Sequence, residues 1–123
     1  MRSRHVHPVV YALLLACLVL SACRPVQLPS PATALLQELH APELGVRVGA
    51  AYQLGQLPQD AVRAVPALIA ATRDPHADVR VVAAYALGKL GAGGTTGDTD
   101  RIVAALDNLL ADDSAEVRFS TAR

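Results

Sequence analysis

Asp98, Asp100, Asp112 and Asp113 form the densest run of carboxylates in this sequence, and clustered carboxylates bind cations or move protons. Gly97-Asp98-Thr99-Asp100 opens in the manner of a calcium loop. Such a loop needs an alternating acidic series and a glutamate at its twelfth position, and neither is present. Turn formation and helix capping account for these aspartates better. Beyond the amino-terminal apolar segment only His40 and His76 remain. They fall in different turns, with no cysteine partner and no H-x₃₋₅-H spacing. Gly91-Ala92-Gly93-Gly94 is followed by no Gly-Lys-Ser/Thr, so it is no phosphate loop. No serine stands in a G-x-S-x-G elbow. The expectation is a protein that is not an enzyme and holds no metal or cofactor.

The cysteines carry a different chemistry. Arg2 and Arg4 precede an almost wholly apolar run from Val9 to Ala22. A basic start, a short apolar stretch and a small-residue exit describe a secretory signal. The run is short for a bilayer crossing, which takes roughly 20 residues. An ordinary cleavage site wants small residues at −1 and −3, and Leu20 is bulky. Leu20-Ser21-Ala22-Cys23 resembles the lipobox of bacterial lipoproteins at all four positions. That resemblance implies removal of residues 1–22 and a lipid on the Cys23 sulfur. It implies a lipid-anchored protein on the outer side of a bacterial cell membrane, with inner or outer membrane undetermined. Plain secretion and an uncleaved anchor are the alternatives. Arg24 to Pro31 carries three prolines in eight residues, which favours an extended tether. At about 3.1 Å per residue it would reach roughly 25 Å. The expected organisation is a signal peptide over 1–22, a lipidated cysteine and tether over 23–31, and a folded domain over 32–123.

Composition narrows the field further. Of the 123 residues, 101 would survive processing, with nine basic and eleven acidic side chains. A net side-chain charge of −2 without a basic stripe gives no reason to expect nucleic acid as a partner. Cys17 falls within the signal and Cys23 takes the lipid, so the domain has no disulfide to draw on. Its stability must come from packing of Ala, Leu and Val.

The elements that position these residues repeat. Val46 to Leu57 recurs as Val79 to Leu90, 33 residues on, with Val-Arg, Ala-Ala-Tyr, Leu-Gly and the final Leu identical. A third copy starts at Val117-Arg118, a further 38 residues along. Between the copies Leu35, Leu68 and Leu106 share a register, as do Val65 and Val103, and Leu39, Thr72 and Leu110. The five extra residues before the third copy fit the Gly/Thr-rich stretch from Gly91 to Thr99, which reads as a loop. Val79, Ala83, Leu87 and Leu90 lie at helical spacing, and so do Val62, Val65, Leu68 and Ile69 in the preceding element, Ala61 to Arg73. Asp78 suits an N-cap, and Thr99 or Asp100 suits the cap of a helix beginning near Ile102. Gly88 and Gly91 suit left-handed C-caps. Pro66 predicts either a helix start or a kink.

Repeated helix–turn–helix units of about 33 residues make an all-α solenoid of about two and a half hairpins. The pattern D-P-x-x-x-V-R-x-x-A-A-x-A-L-G, at Asp74 to Gly88, resembles the HEAT-like repeat of the phycobilisome-lyase type, over residues 32–123. In such repeats the turn aspartate and the helix arginine often form a polar ladder. The resemblance therefore implies pairing of Asp74 and Asp112 with Arg47, Arg80 or Arg118. Ala41 replaces the aspartate of the first turn, which marks an end repeat. Related repeats also occur in bilin lyases, and in deoxyhypusine hydroxylase, which binds iron through His-Glu pairs. This chain has no His-Glu dipeptide, so no catalytic residue transfers. The expected function is protein binding or scaffolding, with Arg47, Gln53, Arg80 and Lys89 as candidates for the binding face. A fragment or subunit of a lyase-like enzyme is the alternative. The third second helix is short, and a truncated chain, a frayed end and a partner-binding surface are the explanations it leaves.

Overall fold

Alanine and leucine are strong helix formers, and the chain uses them throughout. The computed structural model describes residues 8–22, 28–94 and 97–123. Among these there are seven α-helices and no strand: α1 (Pro8–Ala22), α2 (Pro31–Glu38), α3 (Leu44–Leu54), α4 (Ala61–Ala71), α5 (Ala77–Ala92), α6 (Thr99–Leu110) and α7 (Ala115–Thr121). A single 3₁₀ turn, Pro58–Asp60, leads into α4. Cys23 and most of the expected tether lie outside the described residues. Pro31, assigned to the tether from sequence, instead opens α2, with Ser30 at the cap position. Its fixed φ and missing N–H suit that place.

The helix α1 stands apart from the rest in chemistry. Val9, Tyr11, Leu13, Leu14 and Leu15 are all more than half exposed, so this helix adds nothing to the core. No helix among the described residues is long and apolar enough to cross a membrane.

From α2 onward the helices pack as hairpins, α2 with α3, α4 with α5 and α6 with α7. Successive hairpins stack, so that α2, α4 and α6 form one layer and α3, α5 and α7 the other. The all-α solenoid expected from the repeat is the observed fold. One core runs through the stack, with Leu54, Leu68, Leu87, Leu90 and Val65 fully buried. Burying a side chain of this size contributes about 1.5–3 kcal/mol. A smaller cluster of Ala84, Leu109 and Val117 closes the far end.

Several local expectations are corrected. Gly88 and Gly91 are not caps, because both lie within α5. The left-handed backbone falls at Gly94 instead, with φ 62°. α5 runs to Ala92, well past Leu87, the counterpart of Leu54 at the end of α3. The extra residues of this repeat therefore lengthen a helix as well as the loop. His76, not Asp78, occupies the cap position of α5, and Asp98, not Thr99 or Asp100, that of α6. Both helices start before their first core residue, because the turn's own hydrogen bonds set the first helical turn. Pro66 neither starts nor breaks α4, which runs through it. Its missing N–H leaves the Val62 carbonyl without its usual donor. Both residues lie on the exposed face, where water can solvate that carbonyl.

Candidate functional site

The turns between the paired helices share one polar device. Arg47, in the first full turn of α3, donates from Nη1 to the Ala41 and Pro42 carbonyls at 2.9 and 3.0 Å. Its Nε and Nη2 donate to the Asp74 carboxylate of the next turn at 3.0 and 3.4 Å. Arg80 of α5 repeats this, with Nη1 on the Asp74 and Pro75 carbonyls at 2.8 and 3.1 Å. Its Nε and Nη2 donate to Asp112 at 2.9 and 3.0 Å. Each arginine thus ties its own turn to the following one. The carboxylates are oriented in turn by backbone: Asp74 accepts from the His76 N–H at 2.8 Å and Asp112 from the Ser114 N–H at 2.9 Å. The Arg80 guanidinium, aided by that Ser114 N–H, holds the Asp112 carboxyl below the usual carboxylate range against the opposing effect of burial. Two-point pairing of this kind fixes geometry as well as charge.

Arg118 of α7 makes the own-turn half of the pattern, with Nη1 on the Asp112 and Asp113 carbonyls at 2.6 and 3.1 Å. No carboxylate meets its Nε or Nη2 among the described residues. Ala41, the residue replacing aspartate in the first turn, still serves Arg47 through its carbonyl. The first turn therefore lacks only the group that would face a preceding repeat.

The four residues read from sequence as a binding face do not lie together in kind. The Arg47 and Arg80 side chains are only 11% and 16% exposed, and both are committed to ion pairs. Gln53 and Lys89 are exposed. Around Lys89 the surface gathers residues the sequence reading left out. Tyr52 and Tyr85 stack with ring centroids 6.1 Å apart and planes within 4°. The Lys89 ammonium lies 5.7 Å from the Tyr85 ring centroid and donates to Gln56 Oε1 at 2.9 Å. Tyr52 and Tyr85, like Gln56 and Lys89, are 33 residues apart. The repeat offset is itself the signal, since stacking places equivalent positions side by side. Arg63 was also missed: it donates to the Ser30 and Thr33 hydroxyls at 3.2 Å each and ties α4 to the start of α2.

A HEAT-repeat family model matches residues 32–123. This chain belongs to the HEAT-repeat family. A search of curated proteins gave no match. The ladder is thus the internal bracing of a HEAT stack, and the surface it leaves open is what a partner meets. Two grooves mark that surface. One, of about 510 Å³, runs between α4 and α6 beside Arg73, Arg101 and Asn108. The other, of about 830 Å³, lies over α5 and α7 beside Tyr85, Gly88, Ala92 and Phe119. His40 and His76 are exposed turn residues, and Asp98 pairs with Arg101 at 3.1 Å. No group of three or more His, Cys, Asp or Glu side chains among the described residues is placed to hold a metal ion.

Proposed function

We propose that this HEAT-repeat protein is a lipid-anchored scaffold that binds another protein at the outer side of a bacterial membrane. The carrying observation is the union of two features in one chain. Leu20-Ser21-Ala22-Cys23 ends an apolar run, and a HEAT domain follows within a few residues. A lipid on Cys23 supplies the anchor, and two acyl chains hold where one gives only marginal binding. A solenoid acts by presenting an extended face to another protein. The exposed stripe of Tyr52, Tyr85 and Lys89, with Gln53 beside it, supports that role. Stacked tyrosines offer large contact area at low entropic cost.

Crosslinking and pull-down from native membranes tests this, comparing wild type with Cys23→Ala. The expected result is a specific partner held at the membrane by wild type and lost from it with the variant. Intact mass should show a chain starting at Cys23 and carrying acyl groups. A mass that includes residues 1–22 and no acyl group would overturn the anchor. Loss of every specific crosslink would overturn the scaffold.

A further inference from the structure

We propose that the open flank of α5 and α7 docks a helical hairpin of a second protein, one of this same repeat kind whose turn carries an aspartate, and that Arg118 receives that carboxylate. The inference deepens the scaffold reading and rests on it. The molecule shows the same surface twice, once covered and once open. On α3 the surface is covered by α5: a Cβ on Gly55 would sit 2.8 Å from both Cα and Cβ of Ala86, and Tyr52 stacks on Tyr85. On α5 the equivalent glycine, Gly88, meets nothing within 4 Å. α7 covers only the first part of this flank, where Val117 is fully buried against Ala84. Beyond it the groove of about 830 Å³ continues over Tyr85, Gly88 and Ala92 towards the exposed Phe119.

The charge at this end fits the same occupant. Arg47 and Arg80 each give Nη1 to their own turn and Nε with Nη2 to the next turn's aspartate. Arg118 has made the first set of contacts and has no acid for the second. A hairpin stacked in register would bring its turn to Arg118 and its second helix over the α5–α7 flank. A second copy of this chain is a poor match, because its first turn presents Ala41 where the carboxylate is needed.

The test is an anisotropy titration of the detergent-solubilised full chain against a labelled synthetic hairpin. The hairpin copies residues 58–92, which carry the Asp74 turn. Saturable binding is expected. Arg118→Met in the chain, or Asp74→Asn in the hairpin, should each weaken it roughly tenfold, as loss of a charge-assisted pair does. Gly88→Leu in the chain should weaken it further by filling the approach. The hairpin variant leaves the chain untouched, so a folding defect cannot imitate its effect. No binding by about 1 mM hairpin, or binding indifferent to both Arg118 and Asp74, overturns the proposal. Wild-type self-association that Arg118→Met abolishes would overturn the choice of partner. A native crosslinked partner found together with a failed titration sinks this docking site and leaves the scaffold standing.

Discussion

Val65 and Val103 hold the same register in successive first helices, yet Val65 in α4 is fully buried and Val103 in α6 is half exposed. The middle hairpin has neighbours on both sides, and the last has one. The second helices show the reverse end of the stack. Val79 and Val117 are fully buried, while Val46, which no earlier hairpin covers, is 39% exposed. Gly55 and Gly88 complete the contrast, one pressed against Ala86 and the other facing open space. Burial in this protein is a property of a residue's neighbours in the stack, not of its position in the repeat. That is the behaviour of a one-dimensional array, where interfaces between units carry much of the stability.

The largest test of this contrast is Leu87→Ala, at the centre of the continuous core. It should cost about 2–5 kcal/mol in chemical denaturation, and Leu106→Ala at the half-covered end should cost less. Arg80→Met should follow. It strips Asp112 of its two-point partner, worth on the order of 1.5–3 kcal/mol, whereas Arg118→Met should cost far less because no carboxylate depends on its Nε and Nη2. Equal losses at Arg80 and Arg118 would show that the ladder's carboxylate half contributes nothing.

Gly55→Ala should destabilise by about 1–3 kcal/mol, because the added methyl meets backbone that cannot yield cheaply. Acid should act through the ladder as well. The Asp112 carboxyl titrates lower in the folded protein than its ordinary value, so the folded state prefers the charged form. Its contribution is present above about pH 3.9, where the unfolded group is ionised, and fades as pH falls through the lower folded value. Wild type should therefore be more stable than Asp112→Asn at neutral pH, and the gap should close in strong acid. The smallest expected effect has the opposite sign. Gly88→Ala lies inside a helix with space around it, so it should stabilise by roughly 0.5–1 kcal/mol, read as a raised melting midpoint.

Much of this architecture was legible in the residues. The Val-Arg, Ala-Ala-Tyr and Leu-Gly copies fixed the repeat, and apolar spacing marked the helices. The Asp and Arg positions of the ladder stood out because they recur with the repeat. What stayed hidden depended on contacts between units. Gln56 with Lys89 and Arg63 with the start of α2 are polar pairs whose partners only stacking brings within reach. The length of α5 was hidden because glycine composition suggests a loop, while packing against α4 and α7 sustains the helix through Gly88 and Gly91.

The amino-acid sequence by itself determined that this chain makes helices in pairs, and which residues recur to brace them, because periodicity and turn chemistry act over a few residues. Only the tertiary structure decided which of those equivalent residues are buried, which arginine has an acid and which lacks one. Those outcomes turn on whether another hairpin lies alongside, and no local pattern contains that.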